Sequence, residues 1–165
     1  MCLNIFAERF FDDGVPLYAI LSHTWGPEEV LFQDIEIGTA KAKKSFSKVQ
    51  GCCNKAKKDE YGYVWIDTCC VDKSSSAELS EAINTMFKSP SVVEFYSLQW
   101  CLIGTKSSLK WQISKTTRIS LLILEGESCS TCLAAEIMNW ASRRKTSRQE
   151  DVAYCLRGLF DLTWF

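Results

Sequence analysis

Two stretches of this 165-residue chain join an apolar run to residues that carry chemistry. Tyr63-Val64-Trp65-Ile66 leads straight into Asp67-Thr68-Cys69-Cys70-Val71-Asp72-Lys73. Tyr18-Ala19-Ile20-Leu21 leads into Ser22-His23-Thr24-Trp25-Gly26. Each apolar run reads as a buried strand that ends in a polar loop. In open α/β sheets, ligands sit outside the carboxyl ends of the strands. If these two strands are parallel neighbours, His23, Thr24 and Trp25 share a sheet edge with Asp67, Thr68 and Asp72. His23, Trp25, Asp67 and Asp72 are therefore the candidate ligand-binding residues. An imidazole, an indole face and two carboxylates suit a ribose with a stacked base, since carboxylates bind hydroxyls and an indole stacks on an aromatic ring.

Each of these residues also has a plainer role open to it. His23 can bond a neighbouring backbone group. Trp25 and Trp65 can belong to the core. Asp67 can cap the turn that follows it, and Asp72 can hold the loop. Cys69 or Cys70 could act as a nucleophile with His23 as base, although adjacent cysteines directly after a strand more often serve packing. The chain has no Gly-rich phosphate loop and no Ser nucleophile elbow. No catalytic residue is assigned from these residues alone.

The elements that must position these loops follow from patterning. The first strand is placed at Leu17–Ser22, and Pro16 suits its start. Leu31–Ile35 reads as either a short extended segment or a helical turn. Phe46, Val49, Cys53 and Ala56 recur at helical spacing, so Ser45 to about Glu60 is expected to be an amphipathic helix. Its lysines, with Lys41, Lys43 and Lys44 before it, belong to a solvent face or to an anion-binding patch. Tyr63–Ile66 is the second strand, which completes a βαβ unit with parallel strands. Ser75-x-x-Glu78 is a capping box. Leu79, Ala82, Ile83, Met86 and Phe87 then form a core-facing stripe. Val92–Tyr96 reads as a third strand. Leu109 to about Thr116 and Leu133–Arg143 read as helices. Ser147-x-x-Glu150 caps a last helix with Val152, Leu156, Leu159 and Phe160 inward. The basic run Arg143–Arg148 falls between two helices, as a solvated loop or a contact surface for an acidic group.

Composition bounds the rest. The length suits one domain spanning residues 1–165. Net charge is −1 and pI about 5.9, which offers no overall field for nucleic acid or an anionic membrane. No stretch has the apolar length of a transmembrane helix. Met1-Cys2-Leu3-Asn4 does not open a secretory signal, so a cytoplasmic location is expected. Nine cysteines are many for this length. Without signs of secretion they read as buried thiols in a reducing compartment. Cys129-x-x-Cys132 lacks the second pair or histidines that a zinc site needs, and the chain holds one histidine. No metal is expected.

Several runs, in order, resemble the fungal heterokaryon-incompatibility (HET) domain: Tyr18–Gly26, Val64–Lys73, Ser76–Met86 and Trp140–Asp161. Within the last, Asn139–Arg144 and Glu150–Leu156 are the specific parts. The resemblance covers most of the chain. It implies a module of non-self recognition that triggers cell death after hyphal fusion, working through protein partners, self-association included. It also implies a remote likeness to TIR domains, hence an α/β fold with a flavodoxin-like parallel sheet flanked by helices. Some TIR domains hydrolyse NAD through a glutamate on a helix beside the sheet. NAD enters as a cofactor through that likeness only, and an inactive fragment is the further alternative.

The resemblance breaks at one place. After Met86-Phe87-Lys88 the family continues with a Tyr-rich strand and a Gly-Trp-Thr-Leu-Gln-Glu block. Here Lys88 runs directly into Ser89-Pro90-Ser91-Val92. A few dozen residues are expected to be missing between residues 88 and 89, so the domain is incomplete. With them goes the glutamate best suited to TIR-like catalysis. An exposed edge of the sheet or a vacant slot is expected beside Tyr63–Ile66. Asp161–Phe165 also ends where the family runs on, which suggests truncation.

Overall fold

A computed structural model describes residues 4–5, 16–75, 82, 92–127 and 132–142. The expected helix over 76–87 falls outside these residues except for Ala82, which is helical. The expected last helix, the basic run 143–148 and Cys129 also lie outside them. Contact density divides the chain into two compact units, Met1–Ala82 and Ile83–Phe165.

The first unit is built on a parallel sheet. β1 (Asn4–Ile5), β2 (Tyr18–Leu21) and β3 (Tyr63–Ile66) lie in the order β1-β3-β2. Both neighbours run parallel to β3. Tyr18 pairs with Tyr63 and Leu21 with Ile66, so β2 and β3 end together. Strand alternation sends Val64 and Ile66 to one face, where both are fully buried, while Tyr63 and Trp65 are half-buried. The two strands are therefore parallel neighbours, as the βαβ reading requires. Among the described residues β3 is the middle strand and β2 an outer one. Of the two outcomes expected beside Tyr63–Ile66, the vacant slot is corrected: β1 lies on one side of β3 and β2 on the other, because the short segment Asn4–Ile5 pairs there.

The connection from β2 to β3 carries α1 (Phe32–Glu36), a 3₁₀ turn at Ala40–Ala42 and α2 (Phe46–Lys58). Within Leu31–Ile35, Phe32–Ile35 is thus helical and Leu31 is its extended N-cap. The Asp34 carboxylate accepts the Leu31 backbone N–H at 3.0 Å and satisfies an amide the helix start would leave bare. α2 packs Val49, Cys52, Cys53 and Ala56 inward against β3. These side chains, with Val64, Ile66, Cys69 and Val71, form the core of the unit. Burial pushes the Cys52 thiol up to about 12, helped by its neighbours Cys53 and Cys69.

The second unit contains an antiparallel pair, β4 (Glu94–Tyr96) and β5 (Leu102–Thr105). The expected strand Val92–Tyr96 exists, but it forms a separate two-stranded sheet and does not extend the parallel one. Its turn is closed by Ser97, whose backbone carbonyl accepts from Trp100 and whose N–H donates to Cys101, both at 2.9 Å. Gly104 is required where it stands: a Cβ there would lie 2.7 Å from Ser108 Oγ and 2.9 Å from Leu109 Cγ. α3 (Lys110–Thr117) ends at Arg118, which takes the left-handed conformation. α4 (Leu121–Glu125), not foreseen from patterning, is capped by Ser120 and ends at Gly126, φ 113°. α5 (Ala134–Ala141) buries Ile137, Trp140 and Ala141.

Candidate functional site

The in-register ends of β2 and β3 bring their loops side by side. Asp67 follows Ile66 directly, and His23 follows Leu21 by two positions. The turn after β3 is held by its own backbone, with Cys69 and Cys70 N–H both donating to the Ile66 carbonyl. Cys70 also accepts the Ile66 N–H on Sγ at 3.1 Å, and its thiol reaches the Val64 carbonyl at 3.8 Å. A buried cysteine thus clips the turn onto the strand, which is a structural role. The Cys69 thiol is held below the usual thiol range by the adjacent Cys70 thiol, against the effect of burial.

The loop after β2 is anchored to the start of α2. Ser45 Oγ accepts the Val30 N–H at 2.8 Å and donates to the Glu28 carbonyl at 2.8 Å. Glu29 closes the turn from inside: its Oε1 accepts the Gly26 N–H at 2.6 Å and pairs with Lys48 Nζ at 2.6 Å. Lys48 Nζ also donates to the Thr24 carbonyl at 3.0 Å. Burial opposes the charge on Glu29, but Lys48, the Gly26 amide and His23 outweigh it and keep the carboxyl below its ordinary value.

Three of the four residues expected at the site meet here. The His23 side chain is 9% exposed, with its ring between two carboxylates. Nε2 lies 3.4 Å from Glu29 Oε2, and Nδ1 lies 3.8 Å from Asp67 Oδ1. Neither ring nitrogen has a hydrogen-bond partner. The Trp25 indole N–H donates to Asp67 Oδ2 at 2.9 Å. Lys73 Nζ lies 3.6 Å from the centroid of the Trp25 ring, a cation–π contact. Trp25 is 48% exposed, so it belongs to the rim of the site and not to the core. Asp67 does not cap its own turn. His23 does not bond a backbone group, and it faces carboxylates where a catalytic cysteine would need a thiol.

Asp72 holds the loop after β3. Its Oδ1 accepts from Ser74 N–H at 3.0 Å, Ser74 Oγ at 2.8 Å and Gln33 Nε2 at 3.0 Å. The Ser74 bonds first, then Gln33, hold its carboxyl below the ordinary value. It fixes the turn that presents Lys73 and ties that turn to α1.

Glu29, Lys48 and Lys73 also border this cluster, and the sequence pattern did not single them out. Glu29 had a signal: an acid in a Gly-Pro-Glu-Glu turn a few positions after the lone histidine. Lys48 was hidden within a lysine-rich stretch. Several lysines of that stretch pair with carboxylates: Lys43 with Asp34, Lys44 with Glu28 and Lys55 with Asp59.

Comparison with known proteins decides the family. A family model described as heterokaryon incompatibility protein (HET) matches residues 18–89. Vegetative incompatibility protein HET-E-1 of Podospora anserina is 34% identical over 198 aligned residues, covering 90% of this chain and 15% of the relative. The chain carries a HET domain. The HET match takes in both loops and every site residue named above. The aligned span is longer than the whole chain, so a few dozen positions of the HET relative have no counterpart here. No solved structure matches the chain. Among the described residues no helix is long and apolar enough to cross a membrane.

Proposed function

We propose that this chain is a vegetative-incompatibility module: in the cytoplasm of a fungal cell it takes part in non-self recognition and passes a death signal through protein contacts, self-association included. The observation that carries this reading is the HET match over residues 18–89, which contains the whole cluster around His23. The name of the Podospora relative, a vegetative incompatibility protein, points the same way.

On this reading the loops after β2 and β3 form the working end of the domain. His23, Trp25 and Asp67 carry it, and Asp72 supports it from the neighbouring turn. The parallel order β1-β3-β2 supports a flavodoxin-like sheet of the TIR kind. A single domain that lacks a few dozen residues between Lys88 and Ser89 is the proposed organisation. It is supported by the end of the family match at residue 89 and by the length of the alignment to the relative.

The test is inducible expression of the full chain in a filamentous fungus, with growth arrest and vital-dye uptake as readouts. Arrest by the wild-type chain that Trp25→Ala or Asp67→Ala abolishes at equal protein level is the expected result. A wild-type chain that accumulates in soluble form without any effect on growth overturns the reading, and leaves an inactive fragment of a HET protein.

A further inference from the structure

Both nitrogens of the His23 ring face carboxylates. Glu29 Oε2 lies 3.4 Å from Nε2, and Asp67 Oδ1 lies 3.8 Å from Nδ1. Among the described residues neither nitrogen has a hydrogen-bond partner, although the side chain is only 9% exposed. A buried polar group that serves only to hold a fold is normally hydrogen-bonded. Both carboxylates are fixed from behind. Glu29 Oε1 accepts from the Gly26 amide and Lys48, and Asp67 Oδ2 accepts from the Trp25 indole.

An ionised carboxylate accepts and cannot donate, while a neutral imidazole carries one N–H and one lone pair. In either tautomer a neutral ring therefore turns its lone pair on one of the two carboxylates. The imidazolium donates from both nitrogens and suits both. Burial works against its charge; an opposite charge within about 4–6 Å works for it, and here there are two. The groups that face the ring are Glu29 from the loop after β2 and Asp67 from the turn after β3. Lys48 of α2 sits behind Glu29, and Lys73 lies over the indole. With the ring charged, Lys48, Glu29, His23 and Asp67 alternate in sign and cancel. With the ring neutral, these four groups keep an uncompensated negative charge.

We propose that His23 is a proton-operated staple: as the imidazolium it joins Glu29 in the loop after β2 to Asp67 in the turn after β3, and loss of either ring proton opens that link. The proton leaves for solvent by way of Asp67, whose side chain is 30% exposed. On the acid side of the ring's titration, while the carboxylates stay ionised, the two loops are held together. As pH rises through that titration the carboxylates lose the cation between them, and the rim formed by Trp25 and Asp67 loosens. For a domain whose working end is this cluster, as proposed above, protonation assembles that end; the staple itself does not depend on that reading.

The chain has one histidine, so the ring can be read without assignment. Protein labelled with ¹⁵N-histidine and ¹⁵N-tryptophan is titrated through and beyond the imidazole range, about pH 5 to 9, by NMR. The Trp25 indole signal is the one that Trp25→Phe removes. Wild type is expected to show two pyrrole-type ring nitrogens on the acid side. The ring should become neutral as pH rises, and the indole signal should move at the same midpoint. In His23→Gln the indole signal should stay still. In Glu29→Gln and in Asp67→Asn the ring should lose its proton at a severalfold higher proton concentration. If Glu29→Gln does not fold, Asp67→Asn, which keeps an acceptor for the indole, carries the test. A wild-type ring that is neutral throughout overturns the proposal, and so does one that keeps both protons throughout. An indole signal that moves equally in His23→Gln, or a ring titration unchanged in the carboxylate variants, also overturns it. Growth arrest plays no part in these readouts, so failure of the incompatibility reading is detected separately.

Discussion

Trp25 and Asp67 are joined by an indole N–H···Oδ2 bond of 2.9 Å across 42 residues of sequence. The bond ties the loop after β2 to the turn after β3, and it also fixes which Asp67 oxygen is left for His23. Trp25→Phe keeps a ring under Lys73 but removes the donor. It should cost about 1 kcal/mol, as a typical hydrogen bond does. Asp67→Ala, which removes the acceptor, should cost a similar amount, and the double variant less than the sum of the two, because both remove one interaction. Urea denaturation of the four proteins checks this. Strict additivity would show that the bond does not hold the loops together.

Ile66 and Ile20 sit on adjacent strands but in opposite surroundings. Ile66 is fully buried against α2, while Ile20 is 43% exposed. Ile66→Ala should therefore cost about 2–5 kcal/mol, the range for a core isoleucine. Ile20→Ala should fall within about 0.5 kcal/mol of wild type, as surface changes do. Equal losses in a denaturant series would mean that the β2 face is covered in solution.

The parts of this fold that sequence revealed are those set by local pattern. Tyr63–Ile66 is placed to the residue because an apolar run of strand length is bounded by Gly62 and Asp67. α2 is visible in the spacing of Val49, Cys53 and Ala56. Placement of His23 beside Asp67 followed from one topological rule, that parallel neighbours end at one edge. What pattern could not supply was pairing between distant segments. Asn4–Ile5 is too short to announce a strand, and only its bonding to β3 makes it one. Val92–Tyr96 has strand composition, but its antiparallel partner Leu102–Thr105 contains a glycine and gives little signal. Glu29 was missed for a related reason. Its importance comes from a clamp by Lys48, which lies 19 residues away in sequence.

Acid should weaken the first unit. The Leu31 amide, with help from Lys43 and Thr39 and against burial, holds the Asp34 carboxyl below its ordinary value. Glu29 is likewise held low, by Lys48 and Gly26 against burial. A group whose folded value lies below its unfolded value stabilises at pH above the unfolded value, about 4 for a carboxylate. That contribution is lost as pH falls through the folded value. Melting temperature should thus decline as pH is lowered from about 5 toward 3. Asp34→Asn should lower stability at neutral pH and flatten the decline. A variant curve parallel to wild type over this range would remove Asp34 from the explanation.

The second unit carries the last prediction. Its described residues bury only Ile137, Trp140 and Ala141 among their apolar side chains, yet leave Val92, Leu98, Leu102, Ile103 and Trp111 each more than half exposed. Full burial of such a side chain contributes roughly 1.5–3 kcal/mol, and a whole domain is stable by only about 5–15 kcal/mol. Covering even a few of them would change the standing of the unit. The HET relative has a few dozen aligned positions without counterpart here, and the family match ends at residue 89, just before this surface begins. A family-like segment inserted between Lys88 and Ser89 should therefore lower binding of a hydrophobic dye such as anilinonaphthalene sulfonate. It should also raise the melting temperature and sharpen the transition. The chain as it stands should bind the dye, and should aggregate on concentration. An insertion that leaves dye binding and melting unchanged would show that the inserted segment does not cover these residues. A sharp monomeric transition of the chain alone, without dye binding, would show that the exposed apolar side chains are tolerated as they are.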